Sequence, residues 1–358
     1  MSKYKDTIYA LSTPTGKSAI AVIRISGEQS LNVLKKISSI KKIQPNKTKL
    51  TLLSFQKQII DQVLVVFFKK PNSFTGEEMV EINCHGSNAI ITKISKILEI
   101  LGLRLAEPGE FTRRSLMNDK LDLLQTEGLA DLINSETEQQ RSMAISSLSG
   151  KLSKFVNKTN EQLKLMLANT EALIDFSDED LPKNILNKIL EQNKNIINRI
   201  KKEINNSEIS KPIREGFVVS LVGKPNTGKS SFINYISKKE VSIVTNIPGT
   251  TTDAVTSTIE IDGYKFTFVD TAGIRKYKNK IEEIGIKKTK EIILRSNLNL
   301  VFLEKKEISK YSEIENKLFV RSKLDKKRVA KYDKNIINIS SLTGEGVKKL
   351  LKKIKQKL

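Results

Sequence analysis

Eight residues, Gly223-Lys-Pro-Asn-Thr-Gly-Lys229-Ser230, fit G-x-x-x-x-G-K-S between an apolar run at 217–222 and a helix-like run at 231–237. In that context a glycine-rich turn points backbone N–H groups inward around phosphate oxygens, at the positive end of a helix. Asn226, Thr227, Gly228 and Ser231 would line such a loop. Lys229 would neutralise the β- and γ-phosphates, and the Ser230 hydroxyl would reach a Mg²⁺ ion. The chemistry these residues offer is the binding of a nucleoside triphosphate.

Further along, Asp270-Thr271-Ala272-Gly273 leaves a strand-like run. An aspartate there suits the outer shell of a Mg²⁺ site, and the glycine offers a backbone N–H to the γ-phosphate. Upstream, Gly249-Thr250-Thr251-Thr252-Asp253 supplies a hydroxyl, Thr251, that could complete the metal's coordination. The base is read later, by Ser322-Lys323-Leu324-Asp325 at the end of an apolar run. P-loop GTPases carry Asn-Lys-x-Asp at this place. A carboxylate such as Asp325 can accept hydrogen bonds from guanine N1–H and the N2 amino group, which adenine cannot supply. Ser340-Ser341-Leu342 is similar to the Ser-Ala-Lys loop that closes over the base. Order and spacing therefore predict GTP. Ser322 in place of asparagine removes an amide that ties loops together, so weaker nucleotide affinity is expected.

Hydrolysis needs something to orient water. The residue after Asp-x-x-Gly is Ile274, which has no hydrogen-bonding group, where Ras-like enzymes place glutamine. The side-chain oxygen of Asn226 could hold a monovalent cation beside the phosphates, with carbonyls of the loop Thr245-Asn246-Ile247-Pro248-Gly249-Thr250 completing the cage. K⁺ there would act where other systems place an arginine finger. The alternative, that Asn226 merely stabilises the turn, is the weaker of the two.

The elements that must position these residues follow from pattern. From about residue 214 onward, strands and helices alternate, which predicts a mostly parallel sheet flanked by helices. Within it, residues 256–261 and 264–269 flank Asp262-Gly263, a two-residue hairpin signal. Further strands are expected at 298–303, 318–321 and 336–340, and a last helix after Gly346. Residues 119–213 read as a helical domain. Leu163, Met166, Leu167, Leu173 and Ile174 recur there at helical spacing, as do Ile185, Ile189, Ile196, Ile197 and Ile200. Such a stripe normally faces a core, and Pro182 breaks it. Residues 1–118 mix strand-like runs (19–25, 62–68, 79–83) with a helix at 89–101, an α+β pattern. The fold class is thus α+β, all-α and α/β in three successive domains: 1–118, 119–213 and 214–358.

A length of 358 residues with 38% hydrophobic content allows real cores. No segment approaches the apolar length of a membrane span. The start, Met-Ser-Lys-Tyr-Lys-Asp, is not a secretory signal. One cysteine, Cys84, excludes an internal disulfide, and one histidine, His85, leaves no Cys/His zinc site. A cytoplasmic protein is expected. The net charge of +22 favours a polyanionic partner. Its excess is mostly lysine, and the run Lys348, Lys349, Lys352, Lys353, Lys355, Lys357 reads equally as a solvated helix face or a binding patch.

With Gly-x-Pro-Asn-x-Gly-Lys-Ser, Gly-Thr-Thr-x-Asp and Asp-Thr-Ala-Gly-Ile-Arg in place, the chain resembles the tRNA modification GTPase family, MnmE/TrmE. The N-terminal region carries the resemblance beyond related GTPases. Its motifs begin at Asp6 (Asp-Thr-Ile-Tyr-Ala-Leu-Ser-Thr-Pro), Arg24 (Arg-Ile-Ser-Gly), Pro71 (Pro-Asn-Ser-Phe-Thr-Gly-Glu-Glu), Pro108 (Pro-Gly-Glu-Phe-Thr-Arg) and Asn118 (Asn-Asp-Lys-Leu-Asp-Leu). Ile174-Asp-Phe-Ser-Asp-Glu-Asp180 matches in the helical region. The resemblance implies K⁺-activated GTP hydrolysis. It also implies modification of C5 of the wobble uridine (position 34) of certain tRNAs with an FAD-dependent partner of the MnmG/GidA kind. A 5,10-methylene or 5-formyl tetrahydrofolate would supply the one-carbon unit, bound in an N-terminal domain that also dimerises. By the same resemblance Arg24, Glu81 and Lys120 would contact the folate. Asn226, Thr245, Ile247 and Thr250 would form the K⁺ site, Ser230 and Thr251 the Mg²⁺ site, and Glu282 would help orient the hydrolytic water.

Departures carry information too. Thr252 replaces the arginine of Gly-Thr-Thr-Arg-Asp. Family chains continue past the GTPase domain with further helices ending in Cys-x-Gly-Lys, whereas the given sequence ends at Leu358; Cys84 is no replacement. The helices of 119–212 are therefore expected to leave an apolar face uncovered. Two other readings stay open: a ribosome-associated assembly GTPase, and a remnant that binds GTP and dimerises without modifying tRNA.

Overall fold

The computed structural model describes residues 6–175, 184–239, 255–271, 289–304, 308–325 and 335–358. The chain divides into two compact units, Met1–Glu127 and Gly128–Leu358.

In the first unit, strands β1 (Ile8–Leu11), β2 (Ser18–Ser26), β3 (Thr48–Phe55), β4 (Gln58–Phe68), β5 (Met79–Gly86) and β6 (Arg104–Leu105) alternate with helices α1 (Ser30–Ile37), α2 (Asn88–Ile100) and α3 (Glu110–Met117). The sheet order is β3-β4-β5-β2-β1-β6, antiparallel except for the β1–β6 pair. Alternation along β4 buries Val63, Val65 and Phe67 and leaves Gln62 and Leu64 exposed. Those inward residues, with Ile23, Ile25, Val80 and Ile82, pack against Val33 and Leu34 of α1 and Ile94, Ile97 and Leu98 of α2. The opposite phase of the pleat carries Arg24 and Glu81, which are register partners on β2 and β5. No local sequence signal marks strand β3 or its hairpin. Gln56 and Lys57 form the two-residue turn with φ of 50° and 67°, a conformation that asparagine or glycine normally signals.

Four helices come next, the first of them running from the end of the first unit into the second. They are α4 (Leu123–Ile133), α5 (Glu138–Leu148), α6 (Lys151–Asp175) and α7 (Ile185–Glu215). Thr137 caps α5 in a reciprocal box with Gln140. Along α6 and α7 the apolar stripe splits in a way its spacing did not foretell. Met166 and Ile196 are buried, whereas Leu163, Leu167, Ile174, Ile197 and Ile200 are exposed. Two packed helices bury only the seam between them, so the expectation of a core stripe is corrected. Pro182 lies outside the described residues.

After α7 come β7 (Phe217–Gly223), α8 (Lys229–Lys239), β8 (Val255–Ile261), β9 (Tyr264–Asp270), β10 (Leu298–Phe302), β11 (Lys317–Arg321), β12 (Ile336–Asn338) and α9 (Val347–Lys357). The sheet runs β12-β11-β10-β7-β9-β8, parallel throughout except for the β8–β9 hairpin. Asp262 and Gly263 turn that hairpin with φ of 50° and 85°, as expected. Phe232, Ile233 and Ile236 of α8 and Leu350 and Ile354 of α9 join the strands in one core. No described helix is long and apolar enough to cross a membrane.

Candidate active site

The parallel strands β7, β10, β11 and β12 all end at the same edge of the sheet, the edge where α/β folds bind ligands. The loop from β7 to α8 folds as its glycines require. Asn226 and Gly228 have φ of 62° and 95°. A Cβ on Gly228 would run into the Ser322 side chain. Gly228→Ala is therefore expected to weaken GTP binding at least tenfold, because both conformation and space are denied to it. Titration calorimetry reads this directly, and equal affinity in variant and parent would refute the geometric argument.

Lys229 is almost fully buried, and its Nζ donates to the carbonyls of Gly223 (2.8 Å) and Lys224 (2.7 Å). The Ser230 hydroxyl donates to Asp270 Oδ2 at 2.7 Å, which joins the start of α8 to the end of β9. Both are hard oxygen donors of the kind Mg²⁺ takes. Thr271 is held in turn by its hydroxyl on the Leu221 carbonyl, at 2.7 Å. Ser231 sits exposed in the first turn of α8.

The base-reading segment closes on the same loop. The Ser322 hydroxyl donates to the Thr227 carbonyl, and Lys323 Nζ donates to the Asn226 carbonyl at 2.7 Å. A tie between the two loops thus survives the change from asparagine, contrary to the loss inferred from sequence. A hydroxyl at this position reaches the phosphate-loop backbone directly. Asp325 Oδ1 accepts the Ser340 hydroxyl at 2.6 Å, and Ser340 Oγ accepts the N–H groups of Leu342 (3.3 Å) and Thr343 (3.2 Å). The buried Ser340 therefore orients the carboxylate expected to read the base, a role no motif announced. Ser341 has a buried hydroxyl without a partner among the described residues, and Leu342 is exposed.

Other candidates lie outside the described residues: Thr245, Asn246, Ile247, Pro248, Gly249, Thr250, Thr251, Ala272, Gly273 and Glu282. Of the expected K⁺ ligands, Asn226 alone is described, on the exposed rim of the loop.

In the first unit, Arg24 binds Glu81 through Nε (2.9 Å) and Nη2 (2.7 Å). Its guanidinium lies 5.1 Å from the ring centre of Phe74 and 5.6 Å from that of Phe111. Lys120 runs alongside Gly76, with carbons 3.1 and 3.4 Å from where a Cβ would stand. Arg24 and Lys120 thus border one segment, 73–77, and Glu81 joins them through Arg24. That arrangement of cations, a carboxylate and aromatic faces suits a flat, amino-bearing, carboxylate-tailed ligand such as a folate.

The segment is anchored from beneath by charges that lie in or beside the N-terminal motifs but whose pairing no motif revealed. Arg114 is fully buried and bonds Glu77 (3.2 Å), Glu110 (3.0 Å) and Asp6 (2.8 Å). Glu77 also accepts the Ser26 hydroxyl at 2.7 Å. Ser115 and Asn118 hold the carbonyls of Phe74 (2.8 Å) and Thr75 (2.7 Å). Burial alone would raise the pKa of Glu110. Its bonds to Arg104, the Glu107 N–H and Arg114 outweigh that and draw it down to about 2.

A phosphate loop on a mostly parallel sheet, with a carboxylate-based reader of the base at the same edge, defines a P-loop protein of the GTP-binding class. Residues 7–120 match the family described as GTP-binding protein TrmE N-terminus, and residues 123–358 match the MnmE helical domain. The tRNA modification GTPase MnmE of Rickettsia akari is 40% identical over 312 residues, covering 85% of this chain and 69% of that protein. Its counterpart in Aquifex aeolicus is 36% identical over 368 residues, covering 99% and 82%. A crystal structure of Aquifex aeolicus Era is 25% identical and covers 39% of this chain and 56% of its own, with a TM-score of 0.31, too low to bear on the fold. The chain belongs to the tRNA modification GTPase MnmE family.

Proposed function

We propose that this chain is a K⁺- and Mg²⁺-dependent GTP hydrolase of the cytoplasm. With an FAD-dependent partner of the MnmG/GidA kind it would modify C5 of uridine 34 in certain tRNAs, using a one-carbon unit from a tetrahydrofolate derivative. The labour would divide among residues 1–118 (folate binding and homodimerisation), 119–213 (helical) and 214–358 (GTPase). The observation that carries the reading is the convergence of Lys229, the Ser230–Asp270 pair and the Ser340–Asp325 pair at one sheet edge. It occurs in a chain that shares 36% identity over 99% of its length with a protein named for tRNA modification and GTP hydrolysis.

The roles follow from chemistry. Lys229 would exchange its two carbonyl partners for the β- and γ-phosphates. Ser230 and Thr251 would hold Mg²⁺ directly and Asp270 would hold it through water, and the bound ion supplies charge neutralisation on the phosphates. Asn226, with Thr245, Ile247 and Thr250, would hold K⁺ beside them. Asp325, oriented by Ser340, would accept from guanine N1–H and the N2 amino group, which an adenine ring lacks. Glu282 would position the attacking water that Ile274 cannot. Arg24, Glu81 and Lys120 would orient the folate.

The purified chain is expected to hydrolyse GTP faster in KCl than in NaCl and to leave ATP intact; equal rates in both salts would remove K⁺ from the mechanism. Glu282→Ala should keep GTP affinity and lower kcat by about 10²-fold, as loss of a proton-handling group does. Unchanged turnover would take that residue out of the reaction. Mass spectrometry of tRNA from a deletion strain should find uridine 34 without its C5 group, restored on complementation. An unaltered wobble base would end the tRNA reading and leave the hydrolase standing.

A further inference from the structure

The last helix carries an unusual density of cations. α9 buries Val347, Leu350, Leu351 and Ile354 and carries six lysines in eleven residues, with no carboxylate among them. Lys348 and Lys349 occupy its first turn, where the positive end of the helix dipole favours acids and disfavours cations. Lys348 and Lys352, and Lys349 and Lys353, stand one turn apart, where like charges repel. The far end of the helix relieves itself internally. Lys355 pairs with Asp262 at 2.7 Å, and Lys357 donates to the Lys317 carbonyl at 2.8 Å. Lys348, Lys349, Lys352 and Lys353 have no such ion pair among the described residues. An outward face that concentrates unneutralised ammonium groups against its own dipole stabilises the helix poorly in isolation. It suits a ligand that presents phosphates at successive positions.

Position adds a second argument. α9 starts where the base-reading loop ends, through the bonds Ser340 N–H to Glu345 C=O (2.9 Å) and Gly344 N–H to Ser340 C=O (2.9 Å). A polyanion lying on the first turns of α9 would therefore rest beside the loop that orients Asp325.

We propose that the outward face of α9, through Lys348, Lys349, Lys352 and Lys353, is a docking surface for the phosphate backbone of RNA. This rests on the reading of tRNA as substrate and deepens it by naming where the GTPase region would touch that substrate. RNA is favoured over an anionic lipid surface because the face is purely cationic. It lacks the apolar residues that an interfacial helix inserts, the apolar side chains of α9 being buried in its own core. Lysines placed this way bind backbone without reading sequence.

The test compares the full chain with two fourfold variants that lose equal charge. One is Lys348→Gln, Lys349→Gln, Lys352→Gln and Lys353→Gln. The control is Lys188→Gln, Lys194→Gln, Lys201→Gln and Lys202→Gln on α7. Binding of bulk tRNA is read by fluorescence anisotropy across a salt series, and GTP hydrolysis without RNA is read in parallel. The α9 variant should bind at least about tenfold more weakly near physiological salt, with the slope of log K against log salt shallower by about three, and the control should change far less. Its basal GTP hydrolysis should equal the parent's. Equal losses in the two variants would reduce the effect to net charge and overturn the proposal, as would an unchanged slope. Loss of binding to phosphatidylserine vesicles with tRNA binding retained would also overturn it, in favour of a membrane surface. A parent chain that binds no tRNA would sink both this surface and the substrate reading. Should the fourfold variant fold poorly, the pair Lys348→Gln and Lys352→Gln should still make the slope shallower by about 1.5.

Discussion

Replacing Lys229 by alanine is expected to abolish most GTP turnover, with kcat/KM falling by about 10³-fold. Its ammonium is almost fully buried and already sits in the loop, bonded to the Gly223 and Lys224 carbonyls at 2.8 and 2.7 Å. A charge preorganised in this way, with little water to displace, is worth far more to a developing negative charge than a mobile surface lysine. Removing one such donor from a catalytic site costs roughly 10²–10³ in rate. The same ammonium would also attract the phosphates of bound GTP before reaction, so nucleotide affinity should fall as well. Single-turnover hydrolysis together with binding of a fluorescent GTP analogue separates the two contributions. Lys224→Ala is the control, because that side chain is exposed and its backbone carbonyl remains. Turnover within about threefold of the parent in Lys229→Ala would show that the phosphate loop does not act as proposed.

The second large effect should come from Arg114→Met in the first unit. Arg114 is 0% exposed and balances Glu77, Glu110 and Asp6 at 3.2, 3.0 and 2.8 Å. Removing the cation takes a partner from two almost fully buried carboxylates, and Glu110 keeps Arg104 and the Glu107 N–H, so the cost should fall near the lower end of the roughly 3–5 kcal/mol typical of a broken buried pair. For a unit of this size that lowers the midpoint of thermal unfolding by at least about 10 °C. The pH dependence has a definite sign. Glu110 has its pKa lowered from 4.5 to about 2 in the folded chain, so its contribution is complete above about 4.5 and is lost as pH falls through about 2. Arg104 supplies the larger part of that lowering and remains in the variant, so only the Arg114 share of the gap in stability between parent and variant should narrow as pH falls from 5 toward 2. Calorimetry from pH 2.5 to 7 would detect it, and a gap independent of pH would mean that packing, not charge, is what Arg114 supplies. Because Glu77 belongs to the segment that carries Phe74 beside Arg24, the folate binding proposed above should weaken along with the stability.

Much of this was legible in order along the chain. The phosphate loop, the Asp262-Gly263 hairpin, the strands near 298, 318 and 336, and the last helix are each specified by residues close together in sequence. There glycine conformations and short apolar runs leave local marks. The strand at 48–55 left none, because Gln56 and Lys57 adopt the turn without the residues that usually advertise it. The helical stripe was legible as a stripe, but whether Leu167 or Ile196 meets a neighbour depends on what packs there, which periodicity does not encode.

What the sequence determined by itself was the chemistry on offer: a lysine, two hydroxyls and two carboxylates spaced to hold a phosphate-bearing guanine ligand, within a family whose motifs are short and contiguous. Tertiary structure alone decided how those groups are held. Ser340 orients Asp325 from fifteen residues away, Ser322 reaches Thr227 across ninety-five, and Arg114 meets Asp6 across 108. Bonds of that reach arise from the way strands and loops stack at a sheet edge or over a core. They need no periodic pattern, and so none is written along the chain.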